Sequence, residues 1–248
     1  MNPTPQAKTS DPTQEGHANW VLATDLDGTL LDRQYDLQSA ATAINTVCAS
    51  FEQVTHCVLA TSKTLAELEP LAALCNQPPV LIFENGSGYA YPSNTVNGYQ
   101  SEVVGAPYSD IRDALVKLRN RQGFDFQGFG DMTVDDLCKI TALTGEGAAL
   151  AKARGASEPL LWRDSDEHLK DFQRQLETLS LQLIRGGQFY HVSSPQTDKA
   201  TALAAWKQAY APSNQLLACG DAPNDRQMLL MADHAIVFPG GEHGALLP

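Results

Sequence analysis

Short apolar runs alternate with amphipathic stretches along the first hundred residues, the pattern of β-α units laid on a mainly parallel sheet. Apolar residues at 21–24 read as a strand that ends in acids. Leu37, Ala40, Ala41, Ile44, Val47, Cys48 and Phe51 then recur at helical spacing, and a strand follows over 54–60. Thr64 and Glu67 have the spacing of a capping box that opens a helix burying Leu65, Leu68, Ala72 and Cys75. Pro78 and Pro79 are expected to stop it before a strand over 80–83.

The texture changes after Gly105. Helices are predicted to begin near Ser109, Thr133 and Asp166, interleaved with short strands over 124–129, 159–162, 181–184 and 189–192. From Asp198 the β-α rhythm resumes, with a helix to Tyr210, a strand over 215–219, a helix over 224–231 and a strand over 235–238. The expected fold class is therefore α/β, a doubly wound, Rossmann-like parallel sheet with an inserted α+β module. The divisions are a tail over 1–18, a core over 19–104 and 194–248, and the insertion over 105–193. The tail is polar, carries Pro3, Pro5 and Pro12 and has no apolar stretch of the signal-peptide kind, so it reads as a mobile cytoplasmic segment.

Composition narrows the partners. Seventeen basic against 29 acidic residues give a net charge of −12, which opposes binding to nucleic acid or to an anionic membrane. No apolar run reaches the roughly 18 residues of a membrane helix. The five cysteines are odd in number and widely spaced, against both a disulfide framework and a zinc site.

Four chemical signals sit where strands of such a sheet end, the place where open α/β sheets bind ligands. Asp25-Leu26-Asp27-Gly28-Thr29 follows the first strand and Thr61-Ser62-Lys63-Thr64 the second. Lys199 starts a helix, and Gly220-Asp221-Ala222-Pro223-Asn224-Asp225 follows a later strand. Two carboxylates at i and i+2 can divide nucleophilic attack and proton transfer between them. Hydroxyls and helix amides at 61–64 can hold phosphate oxygens, and Lys199 can neutralise developing charge. Hard oxygen ligands from Asp25 and Asp221 favour magnesium over zinc. Taken singly, these strings also describe a polar turn, a helix cap, a surface lysine and an acidic loop. Their order and placement together point to phosphate chemistry.

In that order the chain resembles the haloacid dehalogenase superfamily of phosphotransferases, over its whole length beyond the tail. The resemblance implies that Asp25 is the aspartyl-phosphate nucleophile and Asp27 the general acid/base. It implies Thr61 or Ser62 as the phosphate-binding hydroxyl and Lys199 as the charge-neutralising lysine. Asp221 and Asp225 become the metal-site acids, with the Asp27 backbone carbonyl as a further Mg2+ ligand. An insertion lying between Ser62 and Lys199 is then a cap of the second type, which closes over small organic phosphates.

Further strings are similar to the mannosyl-3-phosphoglycerate phosphatase branch: Thr61-Ser62-Lys63-Thr64, Glu84-Asn85-Gly86, Gly128-Phe129-Gly130-Asp131-Met132-Thr133, Ser157-Glu158-Pro159 and Arg185-Gly186-Gly187-Gln188-Phe189-Tyr190-His191. The implied substrate is a hexosyl-3-phosphoglycerate, mannosyl or glucosyl, and the implied product a compatible-solute hexosylglycerate. Lys63 and Arg185 would then hold the carboxylate, and Glu84, Asn85, Asp131 and His191 the sugar hydroxyls. The competing readings are a phosphatase of sucrose phosphate or a hexose phosphate, a phosphomutase, and a non-catalytic sugar-phosphate sensor. The sequence fixes no oligomeric state.

Overall fold

The computed structural model describes residues 18–31, 36–93, 98–186 and 188–238. The tail (apart from Ala18), Gly187 of the Arg-Gly-Gly string and the Gly-rich ending from residue 239 lie outside the described residues.

A seven-stranded sheet forms the larger layer. Its five parallel strands are β1 (Trp20–Thr24), β2 (Val54–Ala60), β3 (Val80–Phe83), β10 (Gln215–Gly220) and β11 (His234–Val237); β4 (Gly88–Pro92) and β5 (Tyr99–Val103) extend it antiparallel. The order β11-β10-β1-β2-β3-β4-β5 puts β1 between β10 and β2, so their carboxyl ends converge. Alternate residues of β1, β2, β3 and β10 face opposite sides, and both sides are covered, which is why these strands read as apolar runs, whereas the edge strand β11 is exposed. Val21, Ala23, Val58, Ala60 and Ile82 pack with Ala202, Leu203 and Trp206 of α7 (Lys199–Tyr210) and Met228 and Leu229 of α8 (Arg226–Met231). Leu22, Cys57, Leu59 and Leu81 pack with α1 (Leu37–Ser50) and α2 (Leu65–Ala72).

Between β5 and α7 the chain builds a second sheet, in the order β6-β7-β9-β8, all antiparallel. Its strands are β6 (Phe126–Gly128), β7 (Ser157–Trp162), β8 (Gln182–Arg185) and β9 (Tyr190–Ser193). One face is covered by α3 (Tyr108–Gln122) and α6 (Asp166–Thr178), through Ile111, Leu115, Phe172 and Leu176. Phe129 and Met132 pack separately with α4 (Val134–Ile140) and α5 (Gly145–Lys152). The α/β class, the parallel sheet and the inserted α+β module are as expected from the sequence.

Three local expectations change. The 64–67 capping box forms, but its helix ends at Ala72, well before Pro78, and Leu71 rather than the half-buried Leu65 completes its buried face. The β4–β5 pair was not foreseen, because β5 is largely exposed and its pattern is polar. Nor was α5, a short helix weakened by Gly145 and Gly147, which its three alanines and the Thr144 cap offset.

Candidate active site

Asp25 stands at the carboxyl end of β1 with its amide donating to the Cys219 carbonyl of β10 at 3.0 Å. The next residues turn back sharply. Leu26 accepts from the amides of Thr29, Leu30 and Leu31, and Gly28 takes φ +89°, a left-handed conformation that glycine adopts without strain. A Cβ on Gly28 would lie 2.3 Å from Oδ2 of Asp221, so glycine is also what lets the two loops meet.

Lys199, the first residue of α7, is 1% exposed. Its Nζ donates to Oδ1 of Asp25 and to Oδ1 of Asp225, each at 2.6 Å. Burial works against its charge, but the two carboxylates hold the ammonium protonated well above its ordinary value. Oδ2 of Asp225 accepts from the amides of Asp221 and Ala222 at 3.1 and 3.0 Å, so one side chain fixes both the lysine and the 220–225 loop. Carboxylate oxygens of Asp25, Asp221 and Asp225 lie within 4.8 Å of one another. Burial raises Asp25 above the usual carboxylate range, with Lys199 opposing and Asp225 and Asp27 adding to the rise; burial and Asp225 raise Asp221 likewise.

Three buried acids against one ammonium leave uncompensated negative charge, and the donors are all oxygens. The residues therefore fit a hard divalent cation such as Mg2+. Within that cluster Asp225 already engages both oxygens, which leaves Asp25 and Asp221 with oxygen atoms to give. The Asp27 carboxylate stands apart, its Oδ1 3.0 Å from Nζ of Lys63.

A cavity of about 960 Å³ opens above these residues, lined from below by Asp25, Asp27, Ser62, Lys63, Asn85 and Asp221 and from above by Arg154, Arg185 and His191. Thr61 is fully buried beneath, its hydroxyl accepting from the Lys63 amide at 3.3 Å, whereas Ser62 faces the cavity. Asn85 accepts from Nδ2 of Asn224 at 3.1 Å. The exposed Arg185 guanidinium lies 5.8 Å from the Tyr190 ring. Burial, with the charges of Arg154 and Lys199, depresses His191 to about 3, so its imidazole is neutral, and Nδ1 is buried without a hydrogen-bond partner.

Two sugar-binding expectations fail on geometry. Glu84 is 1% exposed, and its carboxylate accepts from the amides of Gly155 and Ala156 and from the Ser157 hydroxyl, at 2.7, 3.2 and 2.6 Å. It joins the inserted module to the large sheet and has no oxygen facing the cavity. Asp131 is bound by Arg112 at 2.6 Å and Arg119 at 2.8 Å, and accepts from the Gly128 amide at 2.9 Å. Despite partial burial those guanidiniums hold its carboxyl below the usual range, and it braces the module from within.

Arg154 escaped the sequence reading. Its side chain is 3% exposed, and its Nη2 donates to the Ser62 carbonyl at 2.9 Å. One arginine near the end of a weak helix carries no spacing signal; only the fold of the chain brings it over the 61–64 loop.

Over residues 159–243 the chain is similar to the family model described as haloacid dehalogenase-like hydrolase, a stretch that holds Lys199 and the 220–225 loop. Protein 0175 of Thermoplasma acidophilum has a similar structure, with TM-score 0.61 and 18% identity over 88% of this chain and 84% of that one. BT1666 from Bacteroides thetaiotaomicron, described among the phosphatases of the haloalkanoate (HAD) superfamily, matches with TM-score 0.59 and 20% identity over 93% and 94%. The HAD subclass IIB sugar phosphatase BT4131 matches with TM-score 0.58 and 14% identity over 89% and 94%. At these identities the likeness is one of fold, and the chain's chemistry rests on its own residues. No helix among the described residues is long and apolar enough to cross a membrane.

Proposed function

We propose that this protein is a phosphatase of small phosphorylated sugars, working through an aspartyl-phosphate on Asp25. The observation that carries the reading is Lys199, buried between Asp25 and Asp225 at 2.6 Å from each, beneath the cavity that Asp25 lines. Held between them, Lys199 restrains Asp25 for in-line attack on phosphorus and offsets charge added to the phosphoryl oxygens. Asp27, kept in place by Lys63, protonates the departing alkoxide and then activates water for hydrolysis of the acyl phosphate. Ser62 supplies a hydroxyl to a phosphoryl oxygen. Asp25, Asp221 and the Asp27 carbonyl would hold Mg2+, which when bound would supply further charge neutralisation, while Asp225 holds the loop and the lysine.

The inserted segment over 105–193 acts as a cap, and its residues select the ester. Within this class we favour a hexosyl-3-phosphoglycerate, mannosyl or glucosyl. In a chain of net charge −12 the cavity gathers Lys63, Arg154 and Arg185, a setting for a second anionic group besides the phosphate. Asn85 and His191 face the remaining volume, where sugar hydroxyls fit. Sucrose phosphate and simple hexose phosphates are the rival substrates, in keeping with the sugar-phosphatase neighbour. The test is phosphate release from mannosyl- and glucosyl-3-phosphoglycerate beside hexose 6-phosphate and sucrose phosphate, with and without Mg2+. Equal turnover of the carboxylate-free esters would end the narrower reading, and no phosphate from any ester the broader one.

A further inference from the structure

Glu84, Asn85 and Gly86 have φ values of +50°, +56° and +88°, three consecutive left-handed residues of which two carry side chains. Such backbone is unfavourable for residues with a Cβ and persists only where the surroundings impose it. Here every neighbouring part of the site does so. The Glu84 amide donates to the Lys63 carbonyl at 2.8 Å and the Asn85 amide to the Thr61 carbonyl at 2.9 Å. The Asn85 side chain accepts from Asn224 of the 220–225 loop at 3.1 Å. Gly86 packs so tightly on the start of α7 that a Cβ there would lie 2.0 Å from the Asp198 carbonyl oxygen and 2.9 Å from the Lys199 amide. The Glu84 carboxylate, finally, is filled by donors from residues 155–157 of the inserted module, with Nε of Arg154 3.5 Å away.

We propose that Glu84 is a positioning residue: seating of the module's 154–157 loop on its carboxylate holds the left-handed 84–86 turn, and that turn sets Asn224 and the start of the helix carrying Lys199. The position of the cap is thereby coupled to the geometry of the phosphoryl-transfer groups. The inference rests on the phosphatase reading above. A cap seated without ester chemistry beneath it would still show the coupling, so the two are separable.

The test uses Glu84→Gln, which keeps the shape of the side chain but removes its charge and one acceptor, in the full chain. Hydrogen exchange is compared with wild type, and kinetics are measured on p-nitrophenyl phosphate, a small ester with no sugar to contact the cap. Coupling predicts faster exchange over 196–204 and 220–226 as well as over 154–157. It also predicts kcat lowered about tenfold with KM within about twofold of wild type, the signature of lost transition-state alignment. Exchange confined to 154–157, or an unchanged kcat on this ester, overturns the proposal. If Glu84→Gln does not fold, Ser157→Ala, which deletes one donor to the same carboxylate, is read by the same two criteria, with a smaller loss of about threefold in kcat expected. A wild-type enzyme inert towards every ester sinks the phosphatase reading, and the exchange pattern then decides the coupling by itself.

Discussion

Lys199 holds Oδ1 of Asp25 at 2.6 Å although 174 residues separate them in the chain, and both side chains are withdrawn from water. An ion pair so buried gains Coulomb energy but loses hydration, so it is weak support for stability. On the function proposed above the pair serves chemistry instead: the lysine would restrain Asp25 as nucleophile and carry positive charge to the place where phosphoryl oxygens would gather negative charge. Replacing Asp25 by asparagine should therefore cost at least about a thousandfold in kcat while leaving the fold intact. Circular dichroism and phosphate release check both halves, and near-normal turnover by Asp25→Asn would remove Asp25 from the mechanism.

Lys199→Met tests the same cluster from the other side. It leaves Asp25 and Asp225 buried without their shared cation, a change of the kind that costs about 3–5 kcal/mol. A urea midpoint unchanged from wild type would show that the lysine compensates nothing.

The raised carboxyls of Asp25 and Asp221 make divalent-ion binding depend on pH, with a definite sign. A carboxyl whose folded pKa lies above its unfolded value takes up protons on folding, so its contribution to stability is lost as pH rises through the folded pKa. Ions bound by the ionised groups reverse that loss. Millimolar Mg2+ should accordingly raise Tm, and by more at pH 8 than at pH 6. A shift independent of pH would place the ion elsewhere.

His191 has the opposite linkage. Its folded pKa, depressed to about 3 chiefly by burial, lies below the ordinary value of 6.5, so the unfolded chain binds the extra proton as pH falls. Stability should decline from about pH 6.5 downward on this account. His191→Leu should flatten that part of a Tm-against-pH curve, and a variant curve parallel to wild type would contradict the assignment.

Gly28→Ala places a methyl group 2.3 Å from Oδ2 of Asp221 in backbone that already disfavours a Cβ by about 1–2 kcal/mol. The expected outcome is a lower Tm together with weaker Mg2+ stabilisation, read in one thermal titration. Retention of the full Mg2+ shift would show that the two loops need not meet as closely as described.

Much of this molecule was legible in its order of residues. Local interactions dictate β2 and β3, the Thr64–Glu67 box and the Asp198 cap of α7, because alternation, capping side chains and helical spacing act within a few residues of one another. The acids at 25, 27, 221 and 225 stand out through their order and their shared placement at strand ends, since each string singly also describes a turn or a loop. Glu84 and Asp131 were misjudged for the complementary reason. A polar residue in a distinctive string reads the same whether it faces a ligand or a buried arginine, and only the packing of β7 and α3 around them decides.

Arg154 and the left-handed turn at 84–86 belong wholly to the tertiary structure. The arginine has no pattern of its own and acquires meaning from the Ser62 carbonyl 92 residues away, while Asn85-Gly86 marks a turn whose left-handed extension to Glu84 comes from four segments that close on it. Local patterns along the chain were enough for a parallel α/β sheet, an insertion and a set of carboxylates and a lysine suited to phosphate. Which of those groups meet, which instead brace the insertion, and how the insertion grips the loops beneath it follow from long-range packing, where the energy of each contact depends on residues that no local window contains.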